Sequence, residues 1–206
     1  MTSPANLIGK QFCVVGLKNS GKTNFVKWLL RDFYSRHVVF DPKDEYKDEW
    51  GWNQYVPGNK RSNAELDLFI DQFVKPNKST IDVLVVDESN RYHQKGGELK
   101  GPIAEIVDWG TSHWNMGAGF VARRPKQVHT DILELSEYIF VHRLTGENDM
   151  KKLRNIHPNL PGEVQKISGP EGQGDYPQYS CIMVTPGRNL VQLPPPPEMQ
   201  NDKPTS

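Results

Sequence analysis

The 206-residue sequence predicts an α/β fold: a mainly parallel central sheet flanked by helices, with a β-hairpin near its C-terminus. Three observations predict it. Residues 16–23 read GLKNSGKT, matching Gly-x-x-x-x-Gly-Lys-Thr, between a β-prone run and a helical one. Residues 81–86 are almost wholly apolar and run into Asp87-Glu88, as expected of a strand buried on both faces of a parallel sheet. The remaining chain alternates short β-branched runs with amphipathic helical stretches.

The elements follow in order. Residues 11–15 (QFCVV) form a strand entering Gly16, and Phe25, Val26, Leu29, Leu30 and Phe33 recur at helical spacing after Thr23. Residues 37–40 are a short strand closed by the turn-forming Asp41-Pro42. Residues 43–62, with Trp50, Trp52 and Tyr55, read as a polar loop. Asn63 caps a helix to about Val74 with Leu66, Phe69, Ile70 and Phe73 inward, and Pro76-Asn77 ends it. After the strand to Val86 comes a glycine-bearing loop, then a helix over 102–109 with Ile103, Ile106 and Val107 on one face. Strands over 118–122 and 138–142 bracket a helix over 125–135. A short helix covers 147–156, and the stretch 157–177 is rich in glycine and proline. Residues 179–185 and 190–193 pair as a hairpin around Pro186-Gly187. One domain over 1–193 is expected, with 194–206 a disordered, Pro-rich polar tail.

The chemistry of the first motif explains its spacing. Backbone N–H groups of a glycine-rich bend point inward to form an anion site, and the helix that follows adds its positive dipole. Gly16, Leu17, Lys18, Asn19, Ser20, Gly21, Lys22, Thr23 and Asn24 would cradle the phosphates of a nucleotide, Lys22 reaching the β- and γ-phosphates and Thr23 binding Mg²⁺. Asp87 would hold the same Mg²⁺, and Glu88 would orient and deprotonate an attacking water. About 60 residues separate Lys22 from Asp87 and hold a further strand at 37–40. That spacing and the glutamate beside the aspartate point to a P-loop NTPase of the RecA/ASCE-like motor type. A guanine reader would carry a late Asn-Lys-x-Asp element; Asn77-Lys78 is followed by Ser79-Thr80 and precedes the acidic strand. The missing guanine element, together with the family resemblance given below, makes ATP the expected nucleotide.

Composition narrows the class. The 25 basic and 25 acidic residues cancel, which removes any global basic signal for nucleic acid but leaves room for a local patch. Two cysteines, Cys13 and Cys181, argue against a disulfide framework and for a reducing compartment. The six His and two Cys lack metal-ligand spacing, so Mg²⁺ is the only metal inferred. No apolar run approaches membrane-spanning length, and the start of the chain lacks the form of a signal peptide.

Residues 109–154, WGTSHWNMGAGFVARRPKQVHTDILELSEYIFVHRLTGENDMKKLR, carry a family resemblance. His113, Gly117, Arg124, Pro125, Asp131 and the strand over 138–144 resemble the stretch after the acidic strand in FtsK–HerA-type ATPases. With the two nucleotide motifs the resemblance covers roughly residues 10–155. It implies an ATP-driven DNA translocase of the compact branch that packages double-stranded DNA in membrane-containing icosahedral viruses. It also implies a homo-oligomeric ring, a hexamer or pentamer, docked on a capsid vertex or on membrane-associated virion proteins. The expected location is the virion vertex and host cytoplasm, or the cytoplasm if the chain is not viral. Where many members place a sensor glutamine before Arg-Pro, this chain has Arg123. Arg123 would then neutralise phosphate charge, or Gln127 would take the sensing duty.

Several residues carry two readings. A ring ATPase needs an arginine from the neighbouring subunit. Arg123, Arg124, Arg143 and Arg154 are candidates, with Arg124 and Arg143 favoured because each follows a strand; surface salt bridges are the bland reading. Lys95 and Lys100 flank Gly96-Gly97 in a loop that either touches DNA in a pore or is simply solvated. Trp109 and Trp114 either stack on bases or serve the core or subunit contacts, and His113 is more a capping or core residue than a catalyst. Alternatives to the translocase are an ATPase for phage assembly or secretion, a nucleotide or small-molecule kinase, and a non-hydrolytic nucleotide-gated scaffold.

Overall fold

The computed structural model describes residues 7–34, 36–46, 53–59, 62–93 and 97–197. Trp50, Trp52, Lys95, Gly96 and residues 198–206 of the expected tail lie outside them.

The described residues build one mixed sheet in the order β3-β2-β4-β5-β1-β6-β7-β8. The strands are β1 (Gln11–Val15), β2 (His37–Phe40), β3 (Gln54–Tyr55), β4 (Val83–Val86), β5 (Gly117–Ala122), β6 (Tyr138–Val141), β7 (Cys181–Val184) and β8 (Leu190–Leu193). β1 to β6 pair in parallel; β7 and β8 join antiparallel as the expected C-terminal hairpin. The fold is the predicted α/β architecture. β5 lies between β1 and β4, with Val15 opposite Ala122 and Val86 opposite Phe120. The strand that separates the two motifs in space is thus β5. The strand between them in sequence, β2, lies on the far side of β4.

Alternation along the strands makes two cores. Phe12 and Val14 of β1 pack with Phe25, Val26, Leu29 and Leu30 of helix α1 (Lys22–Phe33) on one face. Cys13 and Val15 face the other core, which gathers the remaining helices through residues such as Leu66, Ile103, Ile132, Leu153 and Val164. Phe25 and Phe140 meet with ring centroids 5.0 Å apart, tying α1 to β6. Central strands buried on both faces must be apolar at every position, and β4 and β6 are so built.

The structure departs from the local expectations in several places. β3 lies inside the supposed loop 43–62; at two residues its sequence signal is too short to read. The helix from Asn63 runs through a wide π turn at Ile70–Val74 and on to Asn77. The wide turn brings Val74 inward and leaves Phe73 44% exposed, stacked on Phe69. A second π turn, Ile106–Gly110, extends the next helix to His113. The helix expected over 125–135 is a short 3₁₀ turn at Pro125–Gln127 and a separate helix Thr130–Leu135, whose first turn is capped by His129 Nδ1 accepting from Asp131 N. The stretch 157–177 holds a helix, Leu160–Gln165, and a parallel bridge from Ile167 to Tyr176. The expected tail also begins packed, since Pro195 and Pro196 are buried. Among the described residues no helix is long and apolar enough to cross a membrane.

Candidate functional site

The parallel strands end at one edge of the sheet, where open α/β sheets bind ligands. Asp41 to Lys43 follow β2, Asp87 and Glu88 follow β4, Arg123 follows β5, and His142 and Arg143 follow β6. β7 runs antiparallel, so its leading residue Tyr179 arrives at the same edge. A cavity of about 590 Å³ opens there. Lys18, Lys22, Lys27, Lys43 and Arg123 line it with three carboxylates, Glu45, Asp87 and Glu88. The excess of cations suits a polyanion.

One wall is the bend 16–23. Gly21 sits at φ 92°, a left-handed conformation that a side chain resists, and Asn19 shares it at φ 61°. Gly16 is needed for another reason: an added Cβ would lie 2.6 Å from both His142 Cβ and Ser20 Oγ. No side chain caps α1, and its first intrahelical bond runs from Phe25 N to Gly21 O. The amides of Lys22, Thr23 and Asn24 therefore precede the helical ladder, and the first turn holds no acidic residue. Lys22 Nζ donates to Leu17 O at 2.8 Å. Burial lowers its pKa to about 8 against the opposing pull of Asp87 and Glu88. Leu17 lines an adjoining cavity, while Gly16 is buried beneath.

The opposite wall is acidic. Asp87 is buried, and burial raises its carboxyl to about 7 although Glu88 N donates to Oδ1 at 2.7 Å. Its Oδ2 is buried with no hydrogen-bond partner among the described residues. Such an orphaned oxygen in a cation-lined cleft fits a divalent cation, as does the Thr23 hydroxyl, which donates to Glu45 Oε2 at 3.3 Å.

Glu88 is only 3% exposed and adopts a left-handed backbone, φ 48°. Three cations collar it: Lys43 in direct contact, Arg123 Nε at 3.1 Å and Arg91 Nε at 3.4 Å. Burial works to raise its pKa, but the hydrogen bonds and charges of Lys43 and Arg123 outweigh it and hold the carboxyl below the ordinary glutamate value. Glu88 is thus held ionised, as a proton acceptor must be.

Lys43 went unread in the sequence, where Asp41-Pro42 looked like a turn and no more. The turn is a built device. Buried Asp41 accepts from Lys43 N at 3.1 Å and from Tyr46 N at 2.8 Å, and Tyr46 is wholly buried. The signal that could have found it is its place immediately beyond a parallel strand. Glu45, Arg91 and Tyr179 were missed likewise: Glu45 and Tyr179 are distant in sequence from both motifs, and Arg91 lies in the turn just after Glu88.

Other expected residues fall outside the cleft. Arg124 pairs with buried Asp149 at 3.5 Å. Arg143 lies beside the bend in its own chain, its carbonyl accepting from Leu17 N at 3.1 Å and its guanidinium packed on Gly169. Gln127 sits in the 3₁₀ turn, outside the cavity lining. Lys100 and Arg154 are exposed. Trp109 is 54% exposed, so it is no core residue; Trp114 packs against the core under Lys78, whose Nζ lies 4.7 Å from its ring. His113 is exposed beside Ser112 at a helix end.

No protein-family model and no curated protein sequence matches the chain. Solved structures do. The genome packaging NTPase B204 from Sulfolobus turreted icosahedral virus 2, in complex with ATP-gammaS, aligns with TM-score 0.74 at 13% identity over 91% of this chain and 98% of its own. B204, the DNA-packaging ATPase from Sulfolobus turreted icosahedral virus, aligns with TM-score 0.76 at 14% identity over 92% and 98%. The pCW3 conjugation coupling protein TcpA, with ATPgS, aligns with TM-score 0.55 at 16% identity over 90% of this chain and 59% of its own. This chain shares the fold of these nucleotide-binding proteins.

Proposed function

We propose that this chain is an ATP-hydrolysing DNA translocase of the FtsK–HerA type that packages double-stranded viral DNA into a preformed capsid. The carrying observation is the cleft in which an amide-lined bend and a collared, ionised glutamate face each other across five cations. The shared fold with genome-packaging NTPases supports the same reading.

In the proposed reaction the bend and Lys22 hold the β- and γ-phosphates. Water attacks the γ-phosphorus in line; the new O–P bond forms as the bond to the bridging β-oxygen breaks, and ADP leaves. Glu88 takes the proton from water. Lys43 and Arg123, which neutralise Glu88 in this structure, also face the cavity, where phosphate oxygens compete for them and leave the carboxylate free to act. Mg²⁺ held by Thr23 and Asp87 would supply positive charge to the phosphate oxygens.

The finer assignments follow from the same reading. Residues 1–193 act as one ATPase domain in a homo-oligomeric ring, hexamer or pentamer, around DNA. Arg124, paired with Asp149 within its own chain, serves a neighbouring subunit's site. Lys100, exposed after the acidic strand, contacts the DNA, and the ring works at a virion vertex or in the host cytoplasm.

The test is ATP hydrolysis by the purified chain with and without double-stranded DNA. Turnover that requires Glu88 and rises with DNA is the expected result. Phosphate transfer to a small acceptor, or turnover indifferent to DNA and to Glu88→Gln, would overturn the reading.

A further inference from the structure

A second cavity, about 180 Å³, adjoins the phosphate cleft and shares Lys18, Asn19, Ser20 and Tyr179 with it. Its remaining wall is Leu17, Arg143, Ser168, Pro170 and Gln178. The composition differs from that of the main cleft. Here an aromatic ring, a proline and a leucine alternate with an amide, a hydroxyl and a guanidinium. Such a lining suits a flat, mostly apolar group with a hydrogen-bonding edge, and its position requires that group to be joined to the phosphates.

The wall is preformed. Ser168 N donates to Tyr176 O at 2.9 Å, Ser168 Oγ donates to Gly174 O at 3.2 Å, and Ser180 N donates to Pro177 O at 3.2 Å. Tyr179 adopts φ 68°, a conformation uncommon for an aromatic residue. It packs on the bend itself: a Cβ added at Gly21 would lie 3.1 Å from Tyr179 Cβ and 3.2 Å from its Cδ1. The chain thus holds an aromatic residue in a strained pose at the junction of the two cavities.

We propose that Gln178, Tyr179 and Arg143 form the nucleobase subsite, with Tyr179 as the stacking platform and Gln178 reading the base edge. This rests on the triphosphate reading of the main cleft. Gln178 carries both a donor and an acceptor, as a purine edge requires. The assignment gives a role to the segment 168–179, and it makes Arg143 a residue of its own chain's site.

The experiment measures binding of ATP and of inorganic tripolyphosphate, each with Mg²⁺, to the full chain and to Tyr179→Ala, Tyr179→Phe and Gln178→Ala. Tyr179→Ala is expected to weaken ATP about tenfold or more, the effect of losing one base–aromatic stack. Tripolyphosphate binding stays within about twofold, and Tyr179→Phe restores ATP affinity. Gln178→Ala weakens ATP about fivefold with tripolyphosphate unchanged, a check that stands if Tyr179→Ala does not fold. Equal loss for both ligands in Tyr179→Ala, or no loss of ATP affinity in either alanine variant, overturns the subsite. A native chain that binds tripolyphosphate as tightly as ATP also overturns it, while leaving the phosphate site intact; a native chain that binds neither overturns both.

Discussion

The two walls of the cleft are built in opposite ways. The bend 16–23 is one continuous stretch whose conformation follows from its own glycines and from the helix it starts. The collar around Glu88 draws Lys43 from beyond β2, Arg91 from the turn after β4 and Arg123 from beyond β5. One wall is local chemistry; the other is charge collected by topology. The bend offers backbone amides at the start of the helix, so what it offers is inseparable from the fold. The collar offers long side chains that reach Glu88 from three separate segments.

This contrast can be broken or sharpened by mutation. The largest effect is expected for the pair Lys22→Ala and Glu88→Gln. Glu88→Gln should cut turnover by about 10²–10⁴-fold while ATP binding persists, because it removes proton acceptance alone. Lys22→Ala should lose ATP binding as well, in a parallel titration. If the two variants fail in the same way, the division of labour between the walls is wrong.

Lys43→Ala comes next. It removes a preorganised cation from the cleft and should lower kcat by about 10²-fold, with a smaller change in ATP affinity. Lys43→Arg should recover most of the rate. Turnover equal to that of the native chain would reduce the collar to an ordinary ion pair.

Gly16→Ala tests the local wall through stability. Its methyl would collide with His142 and Ser20, and overpacking of this kind costs about 1–3 kcal/mol by chemical denaturation. Unchanged stability would mean that the bend is softer than its packing implies.

The smallest effect concerns Phe73. With the wide π turn aiming it outward, Phe73→Ala should cost under about 1 kcal/mol, against about 3–5 kcal/mol for buried Phe69→Ala. Similar losses at both positions would restore the inward face read from the sequence.

The same contrast explains what the sequence made legible. The bend and the Asp87-Glu88 strand end were readable because residue type, spacing and flanking periodicity all lie within one short window. The strand over 37–40 between the motifs was readable, but the sheet order was not: β5, later in the chain than both motifs, lies between β1 and β4. Helix faces failed where a π turn shifted the register, since a period of 3.6 has no term for an inserted residue. Lys43 and Tyr179 escaped notice because nothing in their neighbourhoods marks them; only the meeting of strand ends gives them a role. Arg124 and Arg143 drew attention by following strands, yet one turns to Asp149 and the other to Gly169.

The central claim is that a nucleoside triphosphate lies between the two walls. A crystal structure of the chain with Mg²⁺ and a non-hydrolysable ATP analogue tests it most directly. The account predicts triphosphate density against the amides of Ser20 to Thr23, with Asp87 and Glu88 across from the terminal phosphate. Density elsewhere, or a terminal phosphate remote from Glu88, would contradict it.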